Sequence, residues 1–413
     1  MIHICTARNP AVADRGVLRP STQMPRPGLR PMRALPVLEP RRSALETCVF
    51  CPKLCRSACP VSNAEPRETI TPWGKMSLTW MVAHGDVPLD VSHGAPPWAC
   101  TGCFACRESC DHENPVTGVL LDARDALVGA GVAPGRAVDV IRGFTRHDAR
   151  TGAATRELAR HAGVRDDARD ALLVGCGYVR AARREARDAV DATVALLNAP
   201  VALVPTCCGL PLRLAGDRAA FADHARAVAR SVARRARVVV ADAGCALAFE
   251  RMYPEIGVRL APEVELLVRL AALSLSALSP AGGTPEPVRW HDPCQLGRGL
   301  GVYDIPRAVL ARVLGRPPDE FDDRREGAVC SGAGGLLPST MPGVARAIAG
   351  SRVDAHIRAG GGRIVTACAS SLLALRREAR GRGSGVEVDD LVTWIARGVR
   401  GPRQVSPGSP RLR

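Results

Sequence analysis

Val201-Ala202-Leu203-Val204-Pro205-Thr206-Cys207-Cys208-Gly209 sets a short apolar run against a turn carrying two adjacent cysteines. The run is too short for a helix and reads as a buried strand. The same punctuation recurs on both sides. Ala171–Gly175 ends at Cys176, and Arg237–Asp242 has Cys245 just beyond it. Helical spacing fills the gaps, over Ala181–Asn198 and Asp217–Arg235. Strands alternating with helices predict an α/β unit on a short parallel sheet. A Ser, Pro and Gly-rich linker, residues 274–287, closes it.

The pattern then returns. Val288–His291 leads to Cys294, and a helix is expected over Ile305–Leu314. Cys330-Ser331-Gly332 follows, then a helix over Val344–Arg358 and a strand, Arg363–Ala367, closed by Cys368. Cys207 and Cys245 lie 38 positions apart, as do Cys330 and Cys368. This is an internal duplication, and the spacing sets Cys368 opposite Cys245. Every marker cysteine stands at or just past the C-terminal end of a strand. In an open parallel sheet those ends form one rim where ligands bind. Cys176, Cys207, Cys208 and Cys245 are therefore expected to converge on one metal site, and Cys294, Cys330 and Cys368 on a second, poorer one.

Eight more cysteines stand ahead of the duplication. Cys48, Cys51, Cys55 and Cys59-Pro60 form one run, and Cys100, Cys103, Cys106 and Cys110 form another. The second has the C-x2-C-x2-C-x3-C spacing of bacterial two-cluster proteins, and the first is longer by one residue between its second and third cysteines. Three cysteines on a tight loop reach three corners of one cube, while the fourth turns away to the other. The expected sets are Cys48, Cys51, Cys55 and Cys110 on one [4Fe–4S] cluster, and Cys100, Cys103, Cys106 and Cys59 on the second. Structural zinc is the competing reading of C-x2-C pairs.

The chain has 413 residues, 16 cysteines and a net charge of +15, with 3% aromatics. Most of the charge sits in residues 1–43 and 396–413, so the body is nearly balanced and a nucleic-acid partner is not expected. The Arg bias reads as GC-rich coding rather than as arginines chosen for contacts, and Arg298 beside Cys294 reads as solvated. Cysteine abundance without an export signal favours metal over disulfides. No run of about 18 apolar residues is present, which points to a cytoplasmic protein, peripheral at most at the inner face of the membrane. Met24 and Met32 are alternative starts, and Cys5 carries no expected role. There is no P-loop, dinucleotide fingerprint or nucleophile elbow.

Thr206-Cys207-Cys208-Gly209-Leu210-Pro211 and His291-Asp292-Pro293-Cys294-Gln295-Leu296-Gly297-Arg298 resemble the cysteine-rich CCG domains of the heterodisulfide reductases. Similar domains, with a two-cluster module ahead of them, occur in the iron–sulfur subunits of glycolate oxidase, lactate-utilisation complexes and anaerobic glycerol-3-phosphate dehydrogenase. Cys330-Ser331-Gly332-Ala333-Gly334-Gly335 resembles a CCG element with serine in place of its second cysteine. The family pattern has five cysteines per repeat. The first repeat departs from it at Asp242, and the second at Ser331 and Val365. Ser331, His291 and Asp292 are the candidate substitutes for the missing thiolates.

The expected organisation is an α+β / α/β chain. Residues 1–43 form a disordered basic tail, 44–116 a helical two-cluster module and 117–168 a helical connection. Residues 169–273 and 288–395 are the two CCG repeats with short parallel sheets, and 396–413 a second basic tail. The resemblance implies two [4Fe–4S] clusters with a further one in the first repeat. It also implies an electron-transfer subunit of an oxidoreductase complex, fed by a flavin-dependent dehydrogenase oxidising a hydroxy acid, polyol phosphate or amine. The acceptor is a quinone or another carrier at the membrane surface. The alternatives are a heterodisulfide reductase-like thiol–disulfide reductase and a non-catalytic metal-stabilised scaffold.

Overall fold

The computed structural model describes residues 31–281 and 284–400, and the secondary structure belongs to one compact unit, Met32–Arg413. Cys5, Met24, most of the first basic tail and most of the second lie outside the described residues. Described structure is already present ahead of the expected boundary at residue 44. Met32, Leu35 and Leu38 are buried in the same core as Leu45, Met76 and Trp98. A turn of helix, Pro36–Arg41, leads into the helix Arg42–Val49. Proline and arginine dominate this stretch and mask three apolar side chains that share one face. At the other end the helix Leu391–Arg400 runs past residue 395.

The cysteine-rich first module is built on two helices. Pro72–His84 starts at Thr71, whose hydroxyl accepts from the Gly74 N–H at 2.9 Å, and stops at Gly85 in the left-handed region. These are the ordinary start and stop signals of a helix. Val116–Gly129 packs beside it, and the helix Gly135–Leu158 then leads into the first repeat.

Each repeat is a four-stranded parallel sheet. Strands β1 (Asp170–Leu173), β2 (Val201–Leu203), β3 (Arg237–Val240) and β4 (Glu263–Leu266) are ordered β2-β1-β3-β4. Strands β5 (Val288–Trp290), β6 (Asp319–Glu320), β7 (Arg363–Thr366) and β8 (Glu387–Asp390) repeat that order as β6-β5-β7-β8. Leu172 of β1 stands opposite Leu203 and Val239, and Arg289 of β5 opposite Asp319 and Ile364. The central strands are largely apolar because helices cover both faces. Strands β4, β6 and β8 carry acidic residues and lie at sheet edges, where one side of the ladder is free. That is why no apolar run announces them.

The repeats exchange helices across a pseudo-twofold relation. Helix Leu391–Arg400, after β8, packs on Arg183–Leu197 of the first repeat, while Leu267–Leu273, after β4, packs on Asp304–Leu314 of the second. One continuous hydrophobic core runs through both sheets. Buried polar contacts cross the same junction, from Tyr178 Oη to Asp390 at 2.7 Å and from Thr393 Oγ1 to Asp188 at 2.8 Å.

Arg124 joins this pair to the first module. Its guanidinium is fully buried and donates to the carbonyls of Pro97, Cys100, Leu214 and Gly335 at 2.7–3.1 Å. Those carbonyls belong to the first module and to both repeats. A Cβ at Gly335 would run into the Cys100 carbonyl, and one at Gly334 into that of Thr101. The Gly334-Gly335 pair is therefore what lets the backbones meet. Arginine is thus a contact residue here, contrary to the coding-bias reading: Arg124, Arg213, Arg289, Arg298 and Arg352 are all buried. Replacing Arg124 with Met strands four carbonyls in the interior, each costing about 1–3 kcal/mol. Arg124→Met should lower unfolding stability by roughly 4 kcal/mol or more, read as a urea midpoint shift. Arg124→Lys should recover little of it, because one ammonium cannot span the four acceptors. A loss under about 1 kcal/mol would show that the junction does not depend on this residue.

Candidate metal centres

The first run begins where the helix Arg42–Val49 ends, and the chain turns at Lys53 in the left-handed region. Cys48, Cys51 and Cys55 face one another, and Cys110 arrives from the second run as a charged neighbour of both Cys48 and Cys55. Asn114 Nδ2 donates to Cys48 Sγ at 3.0 Å. Burial, with the charges of the other three cysteines, pushes the Cys48 thiol up to about 12. Four thiols packed this way cannot all ionise unless a cation is supplied.

The second set closes around a small cavity lined by Cys59, Cys100, Cys103, Cys106 and Lys75. Lys75 is buried, and its Nζ donates to Cys59 Sγ at 3.5 Å. Burial disfavours its ammonium, but the Cys59, Cys100 and Cys106 charges prevail and raise its pKa. The Gly102 N–H points at Cys100 Sγ, 3.4 Å away. An all-sulfur donor set around a void, with N–H groups aimed at the sulfurs, fits a four-iron cluster. Cys55 and Cys106 are also charged neighbours, so the two sets adjoin.

In the first repeat the four expected cysteines meet at the strand-end rim. Cys176 lies against Cys207, Cys207 against Cys208 and Cys208 against Cys245. The turn that carries them is pinned from outside. Asp148 Oδ1 accepts from the Cys207 N–H at 2.7 Å, the His224 ring meets the Cys207 carbonyl at 2.8 Å, and Tyr253 Oη donates to the Cys208 carbonyl at 2.9 Å. Asp242, where the family would have a thiolate, caps the N-terminus of Ala243–Leu247 through Gly244 and lies beside the Ala369 backbone. Its lone pairs serve the fold. Sequence reasoning missed His147: a ring nitrogen of it lies within 4.8 Å of the Cys176 and Cys207 sulfurs. It comes from the helix Gly135–Leu158, outside the repeat, and nothing in the spacing points to it. Burial, then the charge of Arg180, lowers its pKa and keeps the ring neutral.

The second repeat corrects the expected register. Cys368 stands two residues past β7, as Asp242 does past β3, and Ser371 stands where Cys245 does. Cys368 therefore matches the first position of the terminal pair, and Val365 is an interior strand residue. The equal spacing of 38 is a coincidence: the segment between equivalent positions is three residues longer in the second repeat, 38 from Cys330 to Cys368 against 35 from Cys207 to Asp242. The Cys208–Cys245 contact is reproduced by Ser331 Oγ and Ser371 Oγ, 2.8 Å apart. Cys330 lies beside Cys294 and beside Cys103 of the first module. Cys368 pairs with Ser371 and lies beside the Asp242 charge.

The proposed substitutes are already occupied. Asp292 is held by Arg307 on both oxygens at 2.8 Å, and by Trp290 and the Arg325 N–H. His291 is buried beside Arg352, and burial takes its pKa down to about 3. Arg298 is buried rather than solvated, donating to the carbonyls of Cys103, Glu326 and Ala328.

Comparison with known families agrees with this geometry. Residues 44–114 match the 4Fe-4S dicluster domain, and residues 171–250 and 288–376 each match the cysteine-rich domain CCG. The chain is an iron–sulfur protein with a duplicated cysteine-rich domain. It is 29% identical over 248 residues to a subunit of the dihydromethanophenazine:CoB–CoM heterodisulfide reductase of Methanosarcina barkeri, covering 56% of this chain and 59% of that one. It is 23% identical over 365 residues to a subunit of the fumarate reductase (CoM/CoB) of Methanothermobacter marburgensis, covering 83% of this chain and 69% of that one. A shorter match, 33% over 103 residues, is to the probable iron-sulfur-binding oxidoreductase FadF of Bacillus subtilis, covering 24% of this chain and 14% of that one. The chain spans about half the length of the heterodisulfide reductase subunits it matches. No described helix is long and apolar enough to cross a membrane. The dicluster domain carries [4Fe–4S] clusters.

Two outcomes follow for that domain. Because Cys110 reaches the first run, Cys110→Ala should alter the paramagnetic resonance signal of that cluster and leave the other intact, while Cys59→Ala does the reverse. The cross-wired assignment is wrong if Cys110→Ala leaves the first-run signal unchanged. Lys75→Met removes a buried cation from the second set. It should lower that cluster's midpoint potential by on the order of 60 mV, equal to about 1.4 kcal/mol for one electron. Potentiometric titration of Lys75→Met against wild type reads this shift.

Proposed function

We propose that this chain is the electron-carrying subunit of an oxidoreductase complex, receiving electrons from a flavin-dependent dehydrogenase and passing them toward a quinone or a comparable carrier at the membrane surface. The observation that carries it is continuity of sulfur. Cys55 neighbours Cys59 and Cys106, Cys103 neighbours Cys330, and Cys330 neighbours Cys294. Thiols thus run from the first run of the dicluster domain into the second cysteine-rich repeat. Such a series suits one-electron carriers placed end to end, with the protein tuning each by burial and hydrogen bonds. The first set lies nearest the surface, with Cys51 and Cys55 half-buried beside the exposed ring of Phe50, and is a suitable contact point for a partner.

Both long relatives are named as reductase subunits, which supports a multi-subunit setting. The proposed ligands are Cys48, Cys51, Cys55 and Cys110 for one cluster, and Cys59, Cys100, Cys103 and Cys106 for the other. Cys176, Cys207, Cys208 and Cys245 would hold a third centre. A disulfide-reducing role is less well served, since Asp242, Ser331 and Ser371 stand at positions where that reading needs thiolates.

Anaerobically purified protein should carry roughly eight or more irons per chain. Cys208→Ser should lower that content. With its flavoprotein partner present, the dehydrogenase substrate should bring up the reduced-cluster signal, and Cys208→Ser should slow onward transfer. Stoichiometric zinc with little iron would remove the reading altogether.

A further inference from the structure

His147 is built into the first repeat's centre although it belongs to a different part of the chain. Asp148, the next residue on its helix, accepts from the Thr206 hydroxyl at 2.9 Å and from the Cys207 N–H at 2.7 Å. That fixes the helix against the Cys207-Cys208 turn. The His147 ring stacks on Phe144, centroids 5.9 Å apart, and one ring nitrogen lies within 4.8 Å of the Cys176 and Cys207 sulfurs. The two nitrogens have different surroundings. Nδ1 is 2.6 Å from Arg180 Nη1. Nε2 is buried and has no hydrogen-bond partner among the described residues.

A guanidinium has donors and no acceptor. Nδ1 must therefore accept from Arg180, and a neutral imidazole then carries its proton on Nε2. The result is a buried N–H with no acceptor on a ring that adjoins two thiols, an arrangement that carries the full desolvation cost of the group unless something bound there accepts. We propose that His147 is the hydrogen-bond donor of the first repeat's centre: Arg180 fixes its tautomer, and Nε2–H donates to a sulfur of the iron–sulfur cluster held by Cys176, Cys207, Cys208 and Cys245. This rests on the reading of those four cysteines as a cluster site. Coordination of iron by Nε2 would need a proton on Nδ1, facing the guanidinium, so the same contact that selects the donor disfavours the ligand.

The second repeat has the same device with a different occupant. Arg298 follows Cys294 by the same interval as Arg180 follows Cys176. Arg298 holds the carbonyl of Cys103 at 2.6 Å, and Cys103 lies beside Cys330, the counterpart of Cys207. Each repeat thus receives one group from outside itself, steadied by an arginine on the turn after its first strand. In the second repeat that group belongs to the dicluster domain. In the first it is a neutral donor. A hydrogen bond to cluster sulfur favours the reduced, more negative state and raises the potential.

The test uses the full chain, purified anaerobically. Cys208→Ser first identifies which resonance signal and how much iron belong to the first repeat. In His147→Leu that signal should persist with its iron but titrate at a lower potential, and His147→Gln, which restores an N–H, should recover part of the shift. Electron–nuclear double resonance on wild type labelled with 15N-histidine should show a weak nitrogen coupling that His147→Leu loses. An unchanged potential in His147→Leu, or a strong coupling typical of an iron–nitrogen bond, overturns the proposal. If His147→Leu loses its iron, the wild-type coupling alone decides between donor and ligand. If Cys208→Ser changes neither iron nor spectrum, the cluster reading itself has failed, and the donor role fails with it.

Discussion

The fold depends on a charge placed where charges are costly. Arg124 is buried under Cys100, within 5.9 Å of the Trp98 ring centroid, and ends on carbonyls from all three parts of the molecule. Burial lowers its pKa to about 10, so it stays protonated at neutral pH. A buried guanidinium is tolerated only when its donors are satisfied, and here satisfaction requires the dicluster domain and both repeats to be in place together. Packing reinforces it: Val61, Ile70 and Ala99 of the first module share a small core with Leu337, Ala345 and Ile348 of the second repeat. The second cysteine run is consequently clamped between the repeats, and its position against Cys330 follows from that clamp.

Duplication explains the architecture, and divergence explains the chemistry. The two sheets have one strand order, and their helices are exchanged across the junction. The first repeat keeps four thiols in contact and uses Asp242 to cap a helix. The second turns the equivalent inner pair into Ser331 and Ser371, a hydrogen-bonded couple that fills the same space with harder, poorer iron ligands. What the second repeat loses in its own thiols it partly regains from Cys103, a residue of another domain.

Cations are distributed with the sulfurs. Lys75 lies among Cys59, Cys100 and Cys106, Arg298 near Cys103, Cys294 and Cys330, and Arg180 near Cys176. Each of these positive charges offsets thiolate charge that burial would otherwise penalise. The overall charge of +15 says nothing about this, because most of it lies in the terminal segments. The few cations beside the sulfurs are what the centres feel.

Local chemistry was legible in the amino-acid sequence. Cysteine spacing on a tight loop and apolar runs ending in cysteines are short-range features, so the dicluster module, the two α/β repeats and most of their strands and helices follow from neighbours in the chain. The edge strands β4, β6 and β8 did not, since an edge needs no continuous apolar run. Nor did the places where distant segments meet. Asp242 and Cys368 share a register that only strand pairing reveals, because a three-residue difference between the intervening segments equals the interval within the terminal pair. His147 reaches Cys176 and Cys207, and Cys103 reaches Cys330, only because helices pack on sheets in one particular way. Arg124 and Arg298 look like any other arginine in a chain rich in them. Burial and hydrogen-bond satisfaction are properties of the packed interior, and only the tertiary structure assigns them.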